Sequence, residues 1–335
     1  IVLKGYKRID KCVKELRIME TLPKSSIFTQ LRGIYSTPSW KFLAISPHAD
    51  FDLFALSMGD KKYNLYDIAL AISNAIKWIH NERIYHFDIK AENILCSVTE
   101  SKIHFILSDF GASKSLIEET DDKFYGLCGT KGHIMPEALK VQGHYVSWGP
   151  RIDAFAFAVV ILECFSSNKW FDEKWMNHDI DGDVLTATIS KILGEDKFGV
   201  HSIPIKSTCC NAEFGKNLFR KIIEGYNRIN FKEITDFIND YEDVKMLEYD
   251  KSAIMPSPAT QVAYMKLNRR MANSAAINDD RTLCMRQQYH LRIFAQRIMA
   301  LSQRGEITPG IAEALESCLL YTSDAADEGL GVDLG

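Results

Sequence analysis

In the stretch YHFDIKAENIL, residues 85–95, an aspartate, a lysine and an asparagine share one short segment between two apolar runs. The spacing lets a tight loop present Asp88 and Asn93 to one pocket, with Lys90 on the same side. A carboxylate can take a proton, an ammonium can neutralise moving negative charge, and an amide oxygen can ligate a hard cation. Further on, LSDFG places Asp109 at the end of a second short apolar run, where its carboxylate can meet Asn93 across a shared metal. Such a set suits a triphosphate, whose clustered charge Mg2+ must screen. Transfer of its terminal group is mostly a matter of positioning and electrostatics.

Ordered elements have to hold these side chains. IVLKGY predicts the end of a strand, KCVKELRIMETL a helix, and GIYSTP and WKFLAISP two further strands separated by a turn, which makes a small sheet with one helix. After HADFDLF the period changes, and LYDIALAISNAIKWIH lines Ile68, Leu70, Ile72, Ala75, Ile76 and Ile79 along one helical face. ENILC and IHFILS read as short strands; IDAFAFAVVILECFS, GKNLFRKIIEGY and NFKEITDFINDY read as helices. MPSPATQ, residues 255–261, has the composition of a linker. Beyond it, MRQQYHLRIFAQRIMALSQ is expected to be a helix packed through Leu291, Phe294, Ile298 and Leu301, its arginines forming a solvated face, and Thr308 is expected to cap another helix.

Composition narrows the function classes. The 335 residues carry a formal charge of −4, which argues against a generic nucleic-acid binder. No apolar run approaches the roughly 20 residues that span a bilayer. The eight cysteines include no C-x-x-C pair, so neither a zinc site nor a disulfide framework is expected. A reducing, cytoplasmic or nuclear compartment fits that usage. Ile1 is not an initiator methionine, so the chain is expected to begin within a longer gene. At the other end CLLYTSDAADE, residues 318–328, resembles a translated transposase-type sequencing adapter, and residues 318–335 are set aside as an expected non-native tail.

In order along the chain, YHFDIKAENIL, LSDFG, CGTKGHIMPEAL and RIDAFAFAVVILE resemble the catalytic loop, metal loop, activation-segment end and central helix of eukaryotic-type protein kinases. The resemblance covers roughly residues 2–242 and implies an α+β fold of two lobes. Residues 1–48 would be a truncated, strand-rich N-lobe and 49–250 a mainly helical C-lobe, followed by a helical extension over 251–317. It also implies ATP and Mg2+ as cofactors and a protein as the phosphate acceptor. By the same resemblance Asp88 would orient the acceptor hydroxyl and take its proton, Lys90 would neutralise the moving phosphoryl group, and Asn93 and Asp109 would hold Mg2+. His86 and Phe110 would belong to a packed column under the loop.

Lys4 resembles the strand lysine that ties down the α- and β-phosphates, with Glu15 as its helix partner. Ile45 would guard the back of the adenine pocket, Ser46 and His48 would offer backbone groups to adenine, and Asp52 would either bind the ribose or cap a helix. Thr130 would bond both Asp88 and Lys90, Glu137 would be buried against Arg228, and Asp153 would brace the catalytic loop. Lys90 together with the CGTKGHIMPEAL segment points to serine or threonine acceptors.

Two departures from the family stand out. Phe87 replaces the arginine that usually receives an activation-segment phosphate, and Gly126 stands where the phosphate acceptor usually is. An activation segment ordered by packing is therefore expected, with Ser113, Ser115, Thr120 and Tyr125 still open to modification. No G-x-G-x-x-G precedes Lys4, which is expected to reflect truncation. Two rivals remain open: a pseudokinase that binds partners without transfer, and a small-molecule phosphotransferase of related fold.

Overall fold

The computed structural model describes residues 2–6, 8–36, 41–46, 49–99, 102–115, 123–125, 129–130, 132–176, 182–194, 199–242 and 244. They fall into two units, one of residues 2–20 and 30–46, the other of residues 21–29 and 49–244. The expected C-terminal extension and tail lie outside the described residues.

The smaller unit is a three-stranded antiparallel sheet with one helix. Strand β1 (Val2–Tyr6) leads into α1 (Ile9–Thr21), and β2 (Gln30–Ser36) and β3 (Lys41–Ser46) complete the order β1-β3-β2. Lys4 pairs with Leu43 across the β1–β3 ladder, and Arg32 is an extra residue in a bulge between Leu31 and Gly33 of β2. α1 buries Cys12, Glu15, Ile18 and Met19, a stripe at three- and four-residue spacing that carries one carboxylate among apolar groups.

Residues 21–29 were expected with the small sheet but fall in the larger unit. The reason is backbone pairing: Thr29 N–H donates to Leu107 O at 3.1 Å, and Leu107 N–H donates to Ile27 O at 2.9 Å. The fully buried Phe28 then packs on Trp78 and Phe110, with ring centroids 5.6 and 6.3 Å away.

In the larger unit β4 (Phe51–Asp52) runs into the short α2 (Leu53–Met58), and β5 (Tyr63–Asn64) into α3 (Leu65–Asn81), where Asn64 caps by accepting from Tyr66 N–H. α3 buries Leu65, Ile68, Ala69, Ile72, Ala75, Ile76 and Ile79; Leu70, expected on that face, is only half-buried. β6 (Ile84–Tyr85), β7 (Ile94–Val98) and β8 (Ile103–Leu107) follow. The loop between β6 and β7 and the end of β8 are where the chemistry-bearing residues sit. β9 (Lys114–Ser115) pairs with β6, and β10 (Lys123–Tyr125) with β11 (Gly143–Tyr145), the latter beyond α4 (Pro136–Val141).

α5 (Gly149–Phe165) is the centre of this unit. Every residue from Ile152 to Phe165 is buried, so the helix has no polar face, as expected of one enclosed on all sides. Around it come α6 (Asn168–Phe171), α7 (Gly182–Leu193), β12 (Cys209–Cys210), α8 (Ala212–Gly225) and α9 (Phe231–Asn239). α8 packs along α5, and α9 along α3.

Two carboxylates are buried on α5, and they are accommodated in opposite ways. Asp153, near its start, is fully enclosed and surrounded by donors, described below. Glu163, near its end, has one oxygen with no hydrogen-bond partner, while Lys206 Nζ donates to the Glu163 main-chain oxygen at 2.7 Å. Burial, and then the charge of Glu92, push the Glu163 carboxyl up to about 8. An unfolded chain gives up this proton near the ordinary glutamate value, whereas the folded one keeps it. Raising the pH from about 4.5 to about 8 therefore favours unfolding through this group. Lys206, whose amine burial lowers, acts with the opposite sign at higher pH. Urea midpoints measured across this window should fall less with rising pH in Glu163→Gln than in the parent; parallel profiles would contradict the assignment.

Candidate active site

The loop after β6 is held from below by one carboxylate. Asp153 Oδ2 accepts from His86 N–H at 2.8 Å and Oδ1 from Phe87 N–H at 2.9 Å, and His80 Nε2 lies 2.8 Å from Oδ2. These contacts hold Phe87 at φ +65°, a left-handed conformation that costs a non-glycine residue about 1–3 kcal/mol. Its ring is buried and meets Tyr85 edge-on at 6.4 Å. Gly129 (φ +101°) comes close on the other side: a Cβ there would lie 2.9 Å from Phe87 O, so both backbone conformation and space require glycine.

His86 is fully buried and its ring bonds assign the tautomer. Nδ1 accepts from Asp88 N–H at 3.3 Å, so Nε2–H is the donor to Ser108 O at 3.0 Å. Its ring stands 5.2 Å from that of Phe110, which reaches Phe28 and through it Trp78. This is the packed column expected under the loop. Ser108 N–H and Oγ–H both donate to Asn93 O at 2.9 Å, which ties the end of β8 to the loop after β6 one residue before Asp109.

Three of the sequence-selected side chains converge on Asp88. Thr130 Oγ1–H donates to its Oδ1 at 2.7 Å; Lys90 Nζ lies 3.3 Å and Asn93 Nδ2 3.1 Å from its Oδ2. Asn93 Nδ2 also donates to Asp88 O at 2.8 Å, which fixes the amide so that Oδ1 remains its acceptor end. The bond expected between Thr130 and Lys90 is replaced by a bridge, each meeting a different oxygen of the Asp88 carboxylate. Asp109 sits at φ +59° and is partly exposed, its Oδ1 accepting from Gly111 N–H at 3.0 Å. Asn93 and Asp109 offer only oxygen donors, the chemistry a hard cation such as Mg2+ takes.

In the smaller unit Lys4 Nζ lies 3.0 and 3.2 Å from the two oxygens of Glu15, which is 1% exposed and also accepts from the Tyr6 hydroxyl. The strand lysine and the helix glutamate are thus a formed pair. Ile45 is half-buried on β3, where it pairs with Val2 and Leu31; Ser46 ends that strand opposite Gln30; His48 lies outside the described residues. Of the two readings for Asp52, the structure shows the cap: Oδ1 accepts from Ala55 N–H at 2.8 Å and the residue is buried at the start of α2.

The partner expected for Glu137 is wrong. Arg228 is exposed in the turn between α8 and α9, and the Glu137 carboxylate instead accepts from the Tyr226 hydroxyl at 2.8 and 2.9 Å. The turn puts residue 226 inward and 228 outward, with Arg228 N–H bonded back to Gly225 O. Burial and the Glu137 carboxylate push the Tyr226 phenol up, so it remains a donor. Ser113, expected to be open to modification, is fully buried here and its hydroxyl donates to His86 O at 3.2 Å. Ser115 lies in β9 opposite Ile84, Tyr125 in β10 opposite Gly143, and Thr120 and Gly126 fall outside the described residues. His80 and Tyr226 are the site-positioning residues that the sequence reading missed. A histidine at the end of a helix and a tyrosine two places before the expected arginine carry no signal without their partners.

A protein kinase domain model matches residues 3–241. The chain is 30% identical over 138 residues to serine/threonine-protein kinase chk-2 of Caenorhabditis elegans, covering 39% of this chain and 28% of that protein. It is 35% identical over 151 residues to the cAMP-dependent protein kinase catalytic subunit PRKX of Mus musculus, covering 44% and 32%. With the ovarian-specific serine/threonine-protein kinase Lok of Drosophila melanogaster it shares 25% over 170 residues, covering 50% and 35%. These matches span about a third of the length of the curated relatives. With the Asp88 cluster, the Asp153 brace and the Lys4–Glu15 pair all formed, the family match over most of the chain leads to one conclusion: this chain belongs to the protein kinase family.

Proposed function

We propose that the protein transfers the terminal phosphoryl group of ATP to serine or threonine hydroxyls of protein substrates. The observation that carries this reading is the Asp88 carboxylate, with a threonine hydroxyl on one oxygen and an ammonium and an amide on the other. Asp88 orients an incoming hydroxyl and accepts its proton. Lys90, held against the same carboxylate, neutralises charge on the phosphoryl group as it moves. Asn93 and Asp109 would hold Mg2+, which when bound screens the charge of the phosphates. Lys4, positioned by Glu15, binds phosphate oxygens of the nucleotide. Lys90 in the loop, and the similarity to relatives named as serine/threonine-protein kinases, support hydroxyl acceptors of the aliphatic kind.

The formed Lys4–Glu15 pair supports catalysis over a partner-binding pseudokinase, because the short connection between the two residues does not prevent the contact. Phe87 supports the further reading that an activation-segment phosphate is not the switch. A buried phenyl offers no cation where the family arginine would receive the phosphate.

Purified protein with Mg2+ and ATP should phosphorylate serine or threonine in a basic protein substrate. Asp88→Asn and Asp109→Asn should each lower the rate at least about a hundredfold. Equal labelling by the parent and Asp109→Asn would favour the pseudokinase. Phosphatase treatment should leave the rate within about twofold, since Phe87 stands where the family arginine would take the phosphate; loss of activity, restored by one phosphosite in the segment, would overturn that reading.

A further inference from the structure

The segment that follows the activation region carries Thr130, and through it touches the catalytic carboxylate. Two residues on, Gly132 adopts φ +84° and its carbonyl accepts from Trp175 Nε1–H at 3.0 Å. A Cβ at position 132 would run into Met176 Sδ, so the wide turn Asp172–Met176 after α6 is seated directly on this glycine. At the far end of the segment Glu137 takes both of its contacts from the Tyr226 hydroxyl. The two anchors share a support. The Trp175 ring stacks on Phe155 at 6.5 Å and 29°, and Phe155 meets Tyr226 edge-on at 5.4 Å. Phe219 closes the far edge of Trp175 at 6.4 Å.

Phe155 lies two residues after Asp153 on α5, so one stretch of that helix supports both the loop that carries Asp88 and the segment that carries Thr130. The rings are enclosed: Trp175 is 1% exposed and Phe155 fully buried. Neither anchor touches Asp88, so any effect on phosphotransfer has to pass through the segment.

Resting on the phosphotransfer reading, we propose that Trp175 and Tyr226 form an aromatic clamp on residues 132–137 and are positioning residues for the protein acceptor. The indole N–H sets the orientation of the Gly132 peptide, and the phenol anchors Glu137, the role the family resemblance had assigned to Arg228. The clamp acts on where the acceptor backbone sits and leaves the nucleotide side of the site alone.

Trp175→Phe removes the indole N–H and keeps a ring on Phe155; Tyr226→Phe removes only the hydroxyl. Both variants of the whole chain are compared with the parent by amide exchange and by initial rates against peptide and against ATP. The clamp predicts exchange over residues 132–137 faster by about tenfold, with residues 84–96 unchanged. It also predicts a peptide KM raised about three- to tenfold at unchanged ATP KM. Exchange that stays at the parental level in both variants overturns it. So does exchange raised uniformly over the larger unit with neither KM changed, the signature of a merely structural role. If Trp175→Phe does not fold, Tyr226→Phe decides on the same two readouts. If the parent transfers no phosphate, the phosphotransfer reading falls, while exchange over 132–137 still tells whether the clamp holds the segment.

Discussion

A buried carboxylate is costly, and Asp153 is at zero exposure on a helix with no polar face. Two loop amides and an imidazole nitrogen, all within 2.9 Å, offset that cost, and those bonds are also what hold the loop. The remainder of the site depends on this exchange. With the peptide groups of His86 and Phe87 fixed, Phe87 is kept in a left-handed conformation and Asp88 emerges where Thr130, Lys90 and Asn93 can all reach it. The buried charge and the strained residue are each unfavourable alone; together they define one loop geometry.

The same helix shows what happens when a buried carboxyl finds no such donors. Burial, and then the charge of Glu92, push the Glu163 carboxyl up to about 8, and one of its oxygens has no hydrogen-bond partner while Lys206 Nζ donates to the main-chain oxygen. Asp153 and Glu163 sit a few turns apart on one helix, but Glu163 also faces the charges of Glu92, Lys206 and Asp172. The supply of hydrogen-bond donors separates them further: three reach Asp153, whereas one Glu163 oxygen has none.

This contrast also explains what could be read from the sequence. Asp88, Lys90 and Asn93 are close along the chain, so their spacing is nearly their geometry, and the three side chains meet as that spacing implies. Lys4 and Glu15 are brought together by one strand and one helix, again a local matter. The long apolar run of α5 and the periodic face of α3 declared themselves for the same reason, apart from half-buried Leu70. Contacts that join distant parts were legible only where the family resemblance supplied them, as for Thr130 on Asp88 and Asp153 under the loop. Tyr226 and Glu137 are 89 residues apart, and only the turn after α8 decides that residue 226 and not 228 faces inward. Ser113 looked available until its bond to His86 O, 27 residues away, was seen. Residues 21–29 left the small sheet because backbone pairing with Leu107, far along the chain, claimed them. The parallel pairing of β5 with β12 joins residues 63–64 to 209–210 and has no local pattern to announce it.

The central claim is that the Asp153 carboxylate, and not the loop's own preference, places Asp88. Asp153→Asn puts a donor where an acceptor is needed while keeping the side-chain shape. Site-resolved amide exchange at His86 and Phe87, measured with the rate of phosphoryl transfer, tests it most directly. The account predicts that these two amides lose protection by on the order of a hundredfold and that transfer falls with them, while exchange in α8 and α9 is preserved. Protected amides and an undiminished rate in that variant would contradict it.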